Sequence, residues 1–313
     1  MPGVRQGSLH LFRFAGIDVF LHWSWFLVAV YEIQSRAGSY SSITWNVLEY
    51  LALFLIVTLH EFGHALACRQ VGGRANRIVL WPLGGVAFVD PPPRPGATLW
   101  SIAAGPLVNV VLIPILLVAS LQGRSLGYIG AAGDFPKLID NVYWINKWLL
   151  IFNILPIYPL DGGQILRSLL WFVMGRARSL MAATVLGLIG ATGFVAVAFF
   201  NRGLWLGAIA AFMLLNCWTG LKQASLMLRL SKAQRREGVS CPSCGQAPPA
   251  GDYWHCGRCG QPFDAFATDA SCPFCSSRSA SARCTECGAE HPAGAWAAPT
   301  LVAPTVQTSH SSG

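Results

Sequence analysis

Charge is the first thing this sequence has little of. Lys, Arg, Asp and Glu make up 12% of its 313 residues, about half the share of a soluble domain. Hydrophobic residues fill 53%, and mean hydropathy is +0.47. The shortage excludes a disordered chain and argues against a wholly soluble one. It points to an integral membrane protein, or one with a large membrane part. Acidic residues are scarce in one region in particular. Residues 1–236 hold 19 Lys/Arg against 8 Asp/Glu, whereas residues 237–313 hold 3 against 6. The basic excess therefore lies between the apolar runs, as in loops facing a cytoplasmic leaflet, and not in a nucleic-acid groove. Cysteine is nearly missing from the first part, which has only Cys68 and Cys217. A signal peptide is not expected: no small-residue cleavage site follows the first apolar run, which reads as a span.

Apolar runs near 17–34, 46–69, 97–121, 141–158, 180–200 and 204–221 approach the ~20 residues that a spanning helix needs. The fourth is interrupted by Pro156 and Pro159, and broken helix at membrane depth lines a cavity. Six crossings leave both ends on one side. That side collects 14 Lys/Arg against 5 on the other, which places both termini in the cytosol. Between the second and third runs, Arg74–Asp90 is rich in β-branched residues and reads as a hairpin or re-entrant strand pair. Leu9–Val19 is a candidate for one more strand. The expected fold class is an α-helical polytopic membrane protein with about six transmembrane helices and a short membrane-associated β-hairpin. The expected division is a membrane domain over 1–225, a basic linker over 226–238, a Cys-rich module over 239–290 and a disordered tail over 291–313.

Late in the second run stands His60-Glu61-Phe62-Gly63-His64. Residues i and i+4 share a helix face. Two imidazoles there can share one Zn²⁺, with Glu61 beside them to take a proton from water. Three ionisable residues inside an apolar helix are costly. The plainer alternative is a polar cluster satisfied between helices. A zinc site needs a third protein ligand. The second and fourth runs point the same way, and the fourth ends in Asn153-Ile-Leu-Pro156-Ile-Tyr-Pro159-Leu-Asp161-Gly-Gly. Asp161 thus reaches the depth of the histidines, while Asp18, Glu32, Glu49, Asp90, Asp134 and Asp140 fall at span ends or beyond. Taken alone, Asp161 would read as a helix cap.

HEFGH at 60–64, AAGPLVN at 103–109 and NILPIYPLDGG at 153–163, with PLGG at 82–85 and FAGIDVFLHWSWF at 14–26, together resemble the site-2 protease family of intramembrane zinc metalloproteases. The resemblance covers about residues 8–225, with the three main motifs in the family's order. It implies a zinc-dependent endopeptidase that cuts membrane-spanning proteins within or beside the bilayer. It assigns zinc to His60, His64 and Asp161, and general acid/base work to Glu61. It places Asn153 and a Gly105-Pro106 turn close to the metal. Asn109 is grouped with these as a residue positioning the substrate or the oxyanion, or else bridges helices with Asn146. The wide spacing of Asn153, Pro156 and Pro159 matches the branch without an inserted PDZ domain, and the Cys-rich tail replaces the CBS domain of some members. The 74–90 strand edge is expected to hold unwound substrate by β-addition. Other readings of the intramembrane motif are a zinc transporter and a non-catalytic metal-sensing scaffold.

The tail lacks core-forming residues: residues 237–313 hold seven Val, Leu or Phe and no Ile. Four knuckles stand out, Cys241-x₂-Cys244, Cys256-x₂-Cys259, Cys272-x₂-Cys275 and Cys284-x₂-Cys287. They are expected to form two four-cysteine zinc ribbons in tandem, each from successive knuckles. With so little apolar surface, metal must supply the folding energy. A cytosolic tail disfavours disulfides. The acidic balance argues against nucleic acid and for a regulatory or substrate-recruiting module that meets a cytosolic protein partner. The cofactors expected are one catalytic and two structural Zn²⁺. The partners expected are a membrane-spanning substrate and the lipid bilayer, and the setting a prokaryotic cell membrane.

Overall fold

The computed structural model describes residues 7–36, 38–81, 84–125 and 133–296. Pro82 and Leu83 of the PLGG stretch, and residues 297–313, lie outside these. The chain divides into two compact units, Met1–Ser225 and Leu226–Gly313.

The first unit opens with strands β1 (Ser8–Phe14) and β2 (Ile17–His22), followed by helix α1 (Trp25–Ser35). This corrects the expected first span. At 11 residues, α1 rises about 16 Å, half of a ~30 Å hydrocarbon core. The run from Ile17 is apolar because β2 is a buried strand. Ile17 and Val19 are fully buried, and Asp18–Leu21 pair in parallel with Arg77–Leu80 of β3 (Arg74–Trp81). β4 (Gly84–Asp90) returns antiparallel to β3 and completes a four-stranded sheet of order β1-β2-β3-β4. The hairpin expected over 74–90 is thus present and belongs to a larger sheet. The sheet packs its buried residues against α2 (Ile43–Gln70), in a cluster that holds Ile17, Val19, Ile78 and Leu80 with Val57, Phe62, Ala65 and Cys68.

The helices that follow are α3 (Pro95–Ser125), α4 (Asp134–Ile154), α5 (Asp161–Met174), α6 (Arg176–Asn201) and α7 (Leu204–Lys232). Among the described residues, three helices are long and apolar enough to cross a membrane: Ile43–Gln70, Pro95–Gln122 and Arg176–Asn201. The fourth apolar run breaks where its prolines indicate. α4 stops at Ile154, and α5 begins afresh at Asp161. The intervening residues fold back so closely that a Cβ on Gly162 would lie 2.2 Å from the Ile154 carbonyl oxygen.

The second unit contains two small hairpins, β5 (Trp254–His255) with β6 (Pro262–Phe263), and β7 (Ser281–Arg283) with β8 (Glu290–Pro292). Each hairpin carries one knuckle in its turn. The cysteines do not pair in tandem. Cys241, Cys244, Cys284 and Cys287 converge, as do Cys256, Cys259, Cys272 and Cys275. The second site is nested inside the first. The module closes where its two ends meet, with the Ser240 N–H donating to the Trp296 carbonyl, so the first knuckle faces the fourth. The ordered module also runs past residue 290. Ala293–Trp296 form a 3₁₀ turn, and Trp296 is buried with Cys241, Ala282 and Cys284. Residues 291–296 therefore correct the expected start of the disordered tail, because one indole supplies the burial that aliphatic counting misses. Of the segment expected as a linker, residues up to Lys232 continue α7. Arg235 and Arg236 beyond it bind Glu286 and Asp264 of the module.

Candidate metal centre

The apolar run of α2 carries His60, Glu61 and His64 on successive turns, each at most 5% exposed. Their ligand atoms lie within 4.8 Å of one another. The two Nε2 atoms stand 3.0 Å apart. Asp161, the first residue of α5, brings its Oδ2 to 3.0 Å from His60 Nε2 and 3.4 Å from His64 Nε2. The structure thus unites the three expected ligands.

The far side of each ring is also engaged. His60 Nδ1 lies 2.6 Å from Asn109 Oδ1, and His64 Nδ1 lies 2.9 Å from the Ser101 carbonyl. Both partners are acceptors, so each imidazole carries its proton on Nδ1 and turns an Nε2 lone pair inward. Two lone pairs and a carboxylate oxygen at about 3 Å repel one another unless a cation lies between them. Two imidazole nitrogens and one carboxylate are a catalytic zinc donor set that leaves a fourth position open. The residues fit the metal.

Asn109 donates its Nδ2 to Asn146 Oδ1 at 2.8 Å, and Asn146 donates to the Asn109 carbonyl at 3.0 Å. Asn109 and Asn146 are fully buried. Asn109 thus stands behind His60, its carbonyl oxygen on the His60 ring and its amide on Asn146. Gly105 sits against the other histidine: a Cβ there would lie 2.3 Å from His64 Nε2. Gly105 and Pro106 do not form the expected turn, since both lie inside α3. Pro106 has no N–H, which frees the Ile102 carbonyl from its helical partner. Asn153, in the last turn of α4, is half-buried; among the described residues no hydrogen bond ties it to the histidines. Sequence reasoning missed Ser101, whose contribution is a backbone carbonyl that any residue type would offer. His22 stacks on Trp81 with ring centroids 4.2 Å apart.

The four-stranded sheet reaches this centre through Phe62, whose ring meets the edge of Phe14 at 5.7 Å. β4 is an edge of the sheet, paired with β3.

In the second unit the facing sulfurs lie 3.5–3.8 Å apart, near the spacing of about 3.8 Å that a tetrahedral site with Zn–S of about 2.3 Å requires. All ten cysteines are free thiols. The backbone N–H groups of Cys259 and Arg258 pull the Cys256 thiol down to about 6, so a thiolate ligand is available at neutral pH. Burial opposes ionisation of Asp264, but the Gly251 N–H and the Arg236 guanidinium outweigh it and hold the carboxyl below its ordinary range.

A family profile described as peptidase family M50 matches residues 49–128 and 127–197. A zinc metalloprotease of Methanocaldococcus jannaschii is 36% identical over 180 residues, which cover 58% of this chain and 50% of that protein. Rip3 of Mycobacterium tuberculosis is 29% identical over 234 residues, covering 66% of this chain and 57% of its own length. The chain thus spans between half and three fifths of these two relatives. Among solved structures, the site-2 protease from Methanocaldococcus jannaschii superposes with a TM-score of 0.50 at 28% identity. That match covers 68% of this chain and 95% of the other.

Proposed function

We propose that this chain, whose residues 49–197 match the peptidase family M50 profile and whose fold is similar to a site-2 protease, is a zinc-dependent endopeptidase cutting membrane-protein substrates within or beside their spanning segment. The observation that carries the reading is the convergence of His60 Nε2, His64 Nε2 and Asp161 Oδ2, with buried Glu61 beside them. Zinc held by these three residues would supply Lewis acidity toward the scissile carbonyl and toward the attacking water.

The remaining work falls to the chain. Glu61 accepts the proton of the attacking water and returns it to the leaving amine. Asn109 and the Ser101 carbonyl fix the two imidazoles in one tautomer and one orientation. The Asn153 amide offers an N–H to the developing oxyanion. A helical substrate hides its backbone in its own hydrogen bonds. The free edge of β4 offers main-chain groups to an unwound segment, as in β-strand addition. The two Cys₄ sites each take a structural zinc, and their module recruits or regulates through a cytosolic protein partner. The basic flanks of the apolar helices support a multi-pass protein of a prokaryotic cell membrane with the cysteine-rich module in the cytosol.

The test uses the purified full-length chain and a single-span substrate in vesicles. The natural chain should hold three zinc ions and cut. Glu61→Gln should hold three and not cut. Asp161→Asn should lose one zinc as well as activity. Cleavage by Glu61→Gln at the natural rate would reject the reading.

A further inference from the structure

Two helices that carry none of the metal-binding motifs, α6 and α7, close around the segment that leads into Asp161. On α6, Gly187 is buried. A Cβ there would lie 2.7 Å from the Tyr158 carbonyl oxygen and 2.8 Å from Cys217 Sγ on α7. One turn further along α6, a Cβ at Gly190 would lie 2.7 Å from the Ile157 side chain. On α7, Cys217 is fully buried and donates its thiol to the Tyr158 carbonyl at 2.9 Å. A Cβ at Gly220 would lie 2.6 Å from Thr184 Cγ2 and 3.1 Å from the Tyr158 ring. Ile157 and Tyr158 thus sit in a seat that only small residues leave open. Gly193 of α6 is different, since its Cβ would have nothing within 4 Å. Glycine weakens a helix interior relative to alanine, and at Gly187 the return for that cost is close approach to a backbone carbonyl.

Little slack separates this seat from the metal centre. The Leu160 N–H donates to the Ile157 carbonyl at 2.9 Å, and the Gln164 side-chain amide donates to the Pro159 carbonyl at 3.1 Å. Asp161 follows at once, with its Oδ2 3.0 Å from His60 Nε2. Ordinary van der Waals contact starts at 3.4 Å. A methyl on Gly187 would therefore push the Tyr158 carbonyl by about 0.7 Å, whereas metal–ligand distances hold to within about 0.2 Å. The helix has no easy retreat, because the same methyl crowds Cys217 equally.

We propose that Gly187 and Cys217 are positioning residues for the third zinc ligand. They hold the Tyr158 carbonyl, and through the turn that follows it they set where the Asp161 carboxylate stands. The inference rests on the zinc reading above.

The experiment loads the full-length chain in detergent with zinc, adds a chelator, and follows zinc release beside Tm. The zinc that Asp161→Asn lacks identifies the buried centre. Gly187→Ala should release that zinc at least tenfold faster, with the two module zincs unchanged. Gly193→Ala should stay within twofold. Gly190→Ala meets a side chain and no backbone, so it should stay within threefold even if its Tm falls. Cys217→Ala should release the zinc at least threefold faster, and Cys217→Ser, which keeps a donor, should return to within twofold of the natural chain. Release from Gly187→Ala at the natural rate would overturn the proposal. So would equally fast release from Gly190→Ala and Gly187→Ala at equal Tm, because that pattern means general loosening. If Gly187→Ala does not fold, the Cys217 pair decides: equal release from both variants and the natural chain overturns it. A natural chain holding only the two module zincs would reject the zinc reading itself, whereas three zincs with unmoved variants reject this inference alone.

Discussion

His60 and His64 are each gripped from behind, one by the Asn109 amide and the other by the Ser101 carbonyl. That grip decides which nitrogen faces Asp161. Asn109→Leu keeps the volume and removes the acceptor, so zinc retention against a chelator and the cleavage rate should both fall about 10–100-fold. Asn146→Leu should weaken both by less, since it acts through Asn109. Gly105→Ala should displace the His64 ring, because the added methyl would lie 2.3 Å from Nε2. In the second unit Asp264 accepts from the Gly251, Phe266 and Ala267 N–H groups and pairs with Arg236. Its lowered pKa means that its stabilisation is present above the unfolded value near 3.9. That stabilisation is lost as pH falls through the folded value. Asp264→Asn should therefore weaken amide-exchange protection over residues 264–270 at pH 7, by roughly 1.5–3 kcal/mol. The convergence of His60, His64 and Asp161 was legible because helical spacing and carboxylate depth are properties of side chains. The Ser101 contact was not, because a carbonyl leaves no mark in a sequence.

At the scale of elements, the hairpin over 74–90 was legible from its β-branched residues, and the break in the fourth apolar run from Pro156 and Pro159. The strand in β2 was not. Ile17–Trp25 is mostly apolar, interrupted by Asp18, His22 and Ser24, and a buried strand leading into a short helix has much the same composition as the start of a span. Only its pairing with β3 tells them apart. The function proposed for β4 depends on its outer edge. Along β4, alternate N–H groups point toward β3 and away from it. Of Phe88→Pro and Val89→Pro, one removes a ladder bond and the other an outward donor. The outward one should abolish cleavage while all zinc stays bound. Normal cleavage by both variants would leave the edge a purely structural feature.

The chain joins a helical unit to a cysteine-rich one, and the sequence marks the change through the shift in charge and cysteine near residue 237. It did not show how the knuckles pair, because four equivalent CxxC units allow three pairings and spacing alone does not choose among them. Nesting makes a counting test available. Cys241→Ser combined with Cys287→Ser should cost one zinc per chain, since both belong to one site. Cys241→Ser combined with Cys256→Ser should cost two. Tandem pairing would reverse these losses. The central claim, that the buried centre hydrolyses peptide bonds in membrane proteins, is tested most directly in cells. Membrane-protein fragments would be compared between cells carrying the natural chain and cells carrying Glu61→Gln at equal expression. The expected result is that one or more single-span proteins accumulate uncut in the variant, with zinc bound to both forms. Identical fragment patterns, in cells where the natural chain is cutting an introduced single-span reporter and the variant cuts it equally well, would contradict it.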